Sequence, residues 1–134
     1  MERRQLLLVV LTLAVLLACA ALFLSVPNIF FYDEAAVEAV AHRIQVTPTF
    51  GHIAQYAKQS VQKGWSRDQV ESALQKIAPV EVAHRGELSN LGGIGMHVCD
   101  DLLLVIYPFH GKLSFSACYY GDGQSLFNFK YQSS

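Results

Sequence analysis

At 134 residues the chain has room for one folded domain rather than two. Ten basic against eleven acidic residues, a formal charge of −1, leave no basic stripe and argue against nucleic acid as a partner. The mean hydropathy of +0.28 is high for a globular chain, and the excess is concentrated at the start.

The run Leu6–Val26 carries no charge, and only Thr12, Cys19 and Ser25 in it are weakly polar. At about 1.5 Å rise per residue it is long enough to cross a hydrocarbon core of about 30 Å. Arg3 and Arg4 precede it, while Asp33, Glu34 and Glu38 follow. The positive-inside rule then places the N-terminus in the cytoplasm and the rest of the chain outside. An uncleaved anchor over residues 1–27 is expected, because the run exceeds the usual length of a signal-peptide core. Cleavage after Ala18-Cys19-Ala20 and lipidation of Cys19 within Leu16-Leu17-Ala18-Cys19 are the alternatives. All three put residues 28–134 outside the cytoplasm. That remainder keeps eight basic and ten acidic residues, a formal charge of −2.

Pro27 is expected to end or kink the apolar helix. A helix then starts near Asp33, with Val37, Val40, Ala41 and Ile44 on one face. Thr47-Pro48-Thr49 breaks it, and Thr49 caps a helix from Phe50 to about Lys63, with Gly64 in its C′ position. Ser66-Arg67-Asp68-Gln69 is a capping box, and Trp65 and Val70 have the spacing of a hydrophobic staple. Val70, Ala73, Leu74 and Ile77 form the stripe of that helix, which Ala78-Pro79 ends. The two helices joined at Gly64-Trp65 read as an αα-hairpin. Residues 33–78 are thus helical. Residues 79–96, with Gly86, Gly92, Gly93 and Gly95, read as a loop in which Val80-Glu81-Val82 is at most a brief strand.

From His97 the apolar period becomes two, and 97–131 reads as a three-stranded antiparallel meander. Centring the first hairpin between Pro108 and Phe109 sets Leu104 opposite Leu113, Leu102 opposite Phe115 and Asp100 opposite Ala117, all on the core face. For the third strand to match, Phe127, Phe129 and Tyr131 must pair with Tyr119, Ala117 and Phe115 across a five-residue loop, Gly121–Ser125. A one-residue slip would turn the aromatic residues to water. The same register sets Cys99 opposite Cys118, which outside the cytoplasm favours a disulfide. The fold class expected is α+β: an N-terminal transmembrane helix, then a helix and an αα-hairpin packed on the meander.

Chemistry-bearing motifs are scarce. Cys99, Cys118 and His97 lack a fourth partner for zinc, and nothing orients His97 against Cys99 for nucleophilic catalysis. His42, His52, His84 and His110 are scattered and read as exposed. Asp100-Asp101 reads as the polar start of a strand whose neighbours point to opposite faces. No phosphate loop, dinucleotide fingerprint, Gly-x-Ser-x-Gly or His-Glu-x-x-His occurs. No metal site, no cofactor and no catalytic residue is assigned. Leu103, Val105 and Tyr107 fall on the face away from the core, beside Ser114, Ser116 and the disulfide. This open face is a candidate docking surface unless the 79–96 loop or the helix from Asp33 covers it.

The order αα-hairpin then meander, with Gly64-Trp65-Ser66-Arg67-Asp68-Gln69-Val70 opening the second helix and Leu74 following on it, resembles the SmpA/OmlA (BamE-like) small lipoprotein domain. The same architecture occurs doubled in the β-lactamase inhibitor protein. The resemblance covers Ile53 to Tyr131 and implies a non-enzymatic interaction module of the cell envelope. The expected function is therefore a membrane-anchored, extracytoplasmic protein-binding module. An inhibitor of a secreted or envelope enzyme is the alternative, and an enzyme using Cys99 and His97 comes third.

Overall fold

A computed structural model describes residues 2–25, 32–90, 93 and 95–133. The chain divides into two compact units, Met1–Phe31 and Tyr32–Ser134.

The first unit is one helix, α1 (Arg3–Ser25), long and apolar enough to cross a membrane. Its leucine, valine and phenylalanine side chains are exposed along its length. Thr12 does not leave its hydroxyl unpaired in that apolar surface, because Oγ1 donates to the Leu8 carbonyl at 2.8 Å. Pro27, the expected helix end, lies outside the described residues.

The second unit is α+β. Helix α2 (Glu34–Ile44) is capped by Asp33, whose carboxylate accepts from the Ala36 amide at 3.1 Å. Helix α3 (Phe50–Ser60) is capped by Thr49, which accepts from the His52 amide at 3.2 Å. Helix α4 (Arg67–Gln75) begins with the complete capping box: Ser66 accepts from the Gln69 amide, and Gln69 Oε1 accepts from the Ser66 amide at 2.9 Å. Helix α3 stops at Ser60 rather than near Lys63, and Gly64 (φ +88°) sits in the turn beyond it. The reason is tertiary. The Gly64 amide donates to the Leu126 carbonyl at 2.8 Å, and the Leu126 amide donates to the Trp65 carbonyl at 2.7 Å. The α3–α4 connection is therefore zipped onto the sheet, which a continued helix would forbid.

The sheet is antiparallel and larger than the expected three strands. Strands β3 (Met96–Tyr107), β4 (Gly111–Tyr120) and β5 (Ser125–Gln132) form the meander. Strand β1 (Val80–His84) and the two-residue β2 (Ser89–Asn90) pair with β3 on its other side, inside the segment expected to be a loop. An unpaired edge of twelve-residue β3 would leave its amides and carbonyls without partners, and the β-favouring Val80-Glu81-Val82 fills it.

Along β3 and β4 the register is the expected one, with Leu104 opposite Leu113, Leu102 opposite Phe115 and Cys99 opposite Cys118. On β5, Tyr131 meets Phe115 and Phe129 meets Ala117, but Leu126 rather than Phe127 lies opposite Tyr119. A bulge at Phe127 makes this change, and the turn shortens to Gly121–Gln124. The helices supply Val37, Ala41, Ile53, Ala57, Val70 and Leu74 to the core, against Leu102, Leu104, Phe115, Ala117 and Tyr119 of the sheet. Phe129 stacks on Phe115 with ring centroids 5.1 Å apart.

Candidate functional site

Because the core-facing residues of the meander meet all three short helices, the opposite sheet face carries none of them. Leu103 and Val105 of β3 and Ser114 and Ser116 of β4 lie there, each half-buried. The Ser114 hydroxyl donates to Gln132 Oε1 at 3.1 Å. Lys112 of β4 reaches Glu81 of β1 at 3.0 Å, so this ion pair crosses β3 above Leu103 and Val105. Both ends of the pair are partly exposed, so it contributes little to stability.

Tyr107 does not belong to that face. A bulge between Val105 and Tyr107 turns its ring to the other side, where it is buried over Gly111 and packs 6.1 Å from Phe50. A Cβ at Gly111 would lie 2.4 Å from the Tyr107 ring, so the missing side chain is what admits it. Period-two counting cannot anticipate a bulge, and for this reason the apolar patch is two residues wide rather than three.

Cys99 and Cys118 form a disulfide on the same outer face, with Cα atoms 4.1 Å apart. Their sulfurs are bonded to each other and offer no thiolate. His97 is buried, its Nδ1 lies 3.0 Å from the Gly95 carbonyl, and its ring packs edge-on to Phe127. The displaced Phe127 also meets Tyr120 at 4.4 Å, closing that end of the face. Among the described residues no three His, Cys, Asp or Glu side chains gather as a metal-ligand set.

Among the described residues a concentrated polar cluster lies on the core side, around Asp100, whose place in the sequence reads as the polar start of a strand. Asp100 is fully buried. Arg67 donates to it twice, Nε to Oδ2 at 2.7 Å and Nη2 to Oδ1 at 3.0 Å. Arg85 Nη1 donates to Oδ2 at 2.9 Å and also pairs with Glu71, while the Gly86 amide donates to Oδ1 at 3.0 Å. Backbone geometry brings these groups together. The Arg67 amide donates to the Gly123 carbonyl, so the start of α4 is tied to the β4–β5 turn directly over β3. Gly86 lies so close that a Cβ there would be 2.0 Å from the Cys99 carbonyl oxygen. Two guanidinium groups face two carboxylates, so the formal charges of the cluster balance.

Hydrogen bonding to Glu71 raises the Arg85 pKa, which keeps its charge fixed. Tyr119 packs its ring 5.8 Å from the Arg67 guanidinium carbon. Burial, and next the Asp100 charge, push its phenol well above the ordinary range. Its hydroxyl has no hydrogen-bond partner among the described residues. The cluster clamps α4, the start of the 85–95 segment and the sheet into one unit. No family model, no curated protein and no solved structure matches the chain.

Proposed function

We propose that the chain is a single-pass membrane protein whose N-terminus is cytoplasmic and whose second unit lies outside the cytoplasm, where it binds another protein through the outer face of its sheet. The observation that carries this reading is the one-sided packing: all three short helices cover one sheet face and leave Leu103, Val105, Ser114 and Ser116 on the other. The exposed apolar surface of α1, with Arg3 and Arg4 before its hydrophobic run, supports the anchor and its orientation. The disulfide supports an oxidising compartment. The likeness of the αα-hairpin and meander to SmpA/OmlA-type domains supports a binding role without chemistry. An inhibitor would use the same face, with an enzyme as its partner.

The test is site-specific photo-cross-linking in intact cells that express the full chain. A cross-linker at Ser116 is expected to give a discrete protein adduct, and one at Gln55 on α3 is not. Leu103→Glu is expected to abolish the adduct while the disulfide still forms. Adducts of equal yield at both positions would refute the assignment of the face. Labelling of a cysteine placed at Asp122 only after the cells are permeabilised would refute the orientation.

A further inference from the structure

The β3–β4 hairpin turns through Pro108, Phe109 and His110. Phe109 has φ +68°, a conformation that glycine adopts freely and other residues avoid. Its side chain is nevertheless 66% exposed. Folding stability does not account for a strained aromatic residue held out into water at a turn that glycine would suit better, so the position points to a contact outside the domain.

Further aromatic residues stand beside the tip. The Tyr32 ring lies edge-on to Tyr107 at 6.2 Å and to Phe50 at 5.6 Å, and Tyr32 is itself 54% exposed. Tyr32 is also where the second unit begins, seven residues beyond Ser25, the last residue of α1. A connection of seven residues can span at most about 25 Å. The charges that act on Tyr32 are acidic, Glu34 and Glu38, which help raise its pKa after burial and Tyr107, and Lys112, three residues beyond Phe109, is already paired with Glu81. Attraction to anionic headgroups is thereby disfavoured. Apolar insertion into an interface of neutral headgroups, where tyrosine and other aromatic rings are at home, fits both the rings and the charges.

We infer that the hairpin tip, with Phe109 leading and Tyr32 beside it, rests in the headgroup region of the bilayer that anchors α1. This rests on the membrane-anchor reading. The tether makes the contact intramolecular, so a weak intrinsic affinity is enough to populate it. The β4–β5 turn, at the other end of the strands, is then the part held away from the lipid.

The test uses the full chain in phosphatidylcholine vesicles carrying lipid brominated just below the headgroup. Phe109→Trp and Asp122→Trp are compared, each against the parent chain with Trp65 alone. Bromine is expected to quench the tryptophan at 109 about twofold or more beyond that at 122, as interfacial placement requires. Equal quenching in chains that float with the vesicles and resist alkaline washing overturns the docking and leaves the anchor standing. Chains that wash off overturn the anchor, and the docking with it. Cross-linking between copies through position 109, without lipid quenching, overturns the proposal in favour of a second copy as occupant.

Discussion

Replacing Asp100 with asparagine keeps the shape of the side chain and removes its charge. In the native domain that carboxylate accepts two bonds from Arg67, one from Arg85 and one from the Gly86 amide, with no exposure to water. Asparagine retains one acceptor oxygen and points an NH2 group at a guanidinium. Removing one partner of a buried ion pair costs about 3–5 kcal/mol. The arginines here are partly exposed, 21% and 43% at the side chain, so water recovers some of their hydration. We therefore expect a loss near the lower bound, about 3 kcal/mol, from a total of about 5–15 kcal/mol for a domain of this size. At about 4–8 °C per kcal/mol, Tm should fall by roughly 12–24 °C. The assay is urea unfolding of the oxidised Tyr32–Ser134 unit followed by circular dichroism, with the slope against urea unchanged. Asp101→Asn, on the half-buried outer side of the same strand, is the control and should stay within about 0.5 kcal/mol. A loss below about 1 kcal/mol for Asp100→Asn would refute the view that this cluster clamps the fold.

Three further outcomes are expected. Tyr119→Phe should be within about 0.5 kcal/mol of the parent near neutral pH, since it removes a buried hydroxyl without a partner. Because folding raises the phenol pKa, its stabilisation is present below about pH 10 and lost as pH rises beyond. The variant should therefore lose less stability than the parent between about pH 9 and 11 in urea titrations, and parallel alkaline limbs would contradict the cause assigned. Gly86→Ala should destabilise by about 2 kcal/mol or more, because the new methyl meets Cys99 backbone that cannot yield; hydrogen exchange at residues 85–90 should rise with it. The double change Cys99→Ala and Cys118→Ala should cost about 3 kcal/mol, the loop-closure entropy for a separation of 19 residues, measured against the oxidised parent by urea unfolding.

Much of the fold was legible because its signals are local or periodic. The capping box at Ser66, the caps at Asp33 and Thr49, and the alternation through Leu102–Leu104 and Leu113–Ala117 depend only on neighbours along the chain or directly across a hairpin. The pairing of Cys99 with Cys118 followed from the same register, without reference to sulfur chemistry. Asp100 depends on partners that are distant in the chain. Its register placed it on the core face, and a buried carboxylate demands cationic partners. That signal was present, and Arg67 and Arg85 were available, but nothing local joins residues 33 and 15 positions away in the chain.

The apolar helix, the helix caps, the order of helices before strands and the hairpin register that brings two cysteines together are all written in the amino-acid order. Each follows from propensity, from hydrophobic period or from steric demands within a few residues. Long-range packing is what makes Val80–His84 complete the sheet, ends α3 at Ser60, sends Tyr107 inward and Phe127 outward through bulges, and gathers two arginines on Asp100 beneath α4. These features arise where backbone groups and buried charges must find partners far away in the chain, and that demand is met only once the elements have packed.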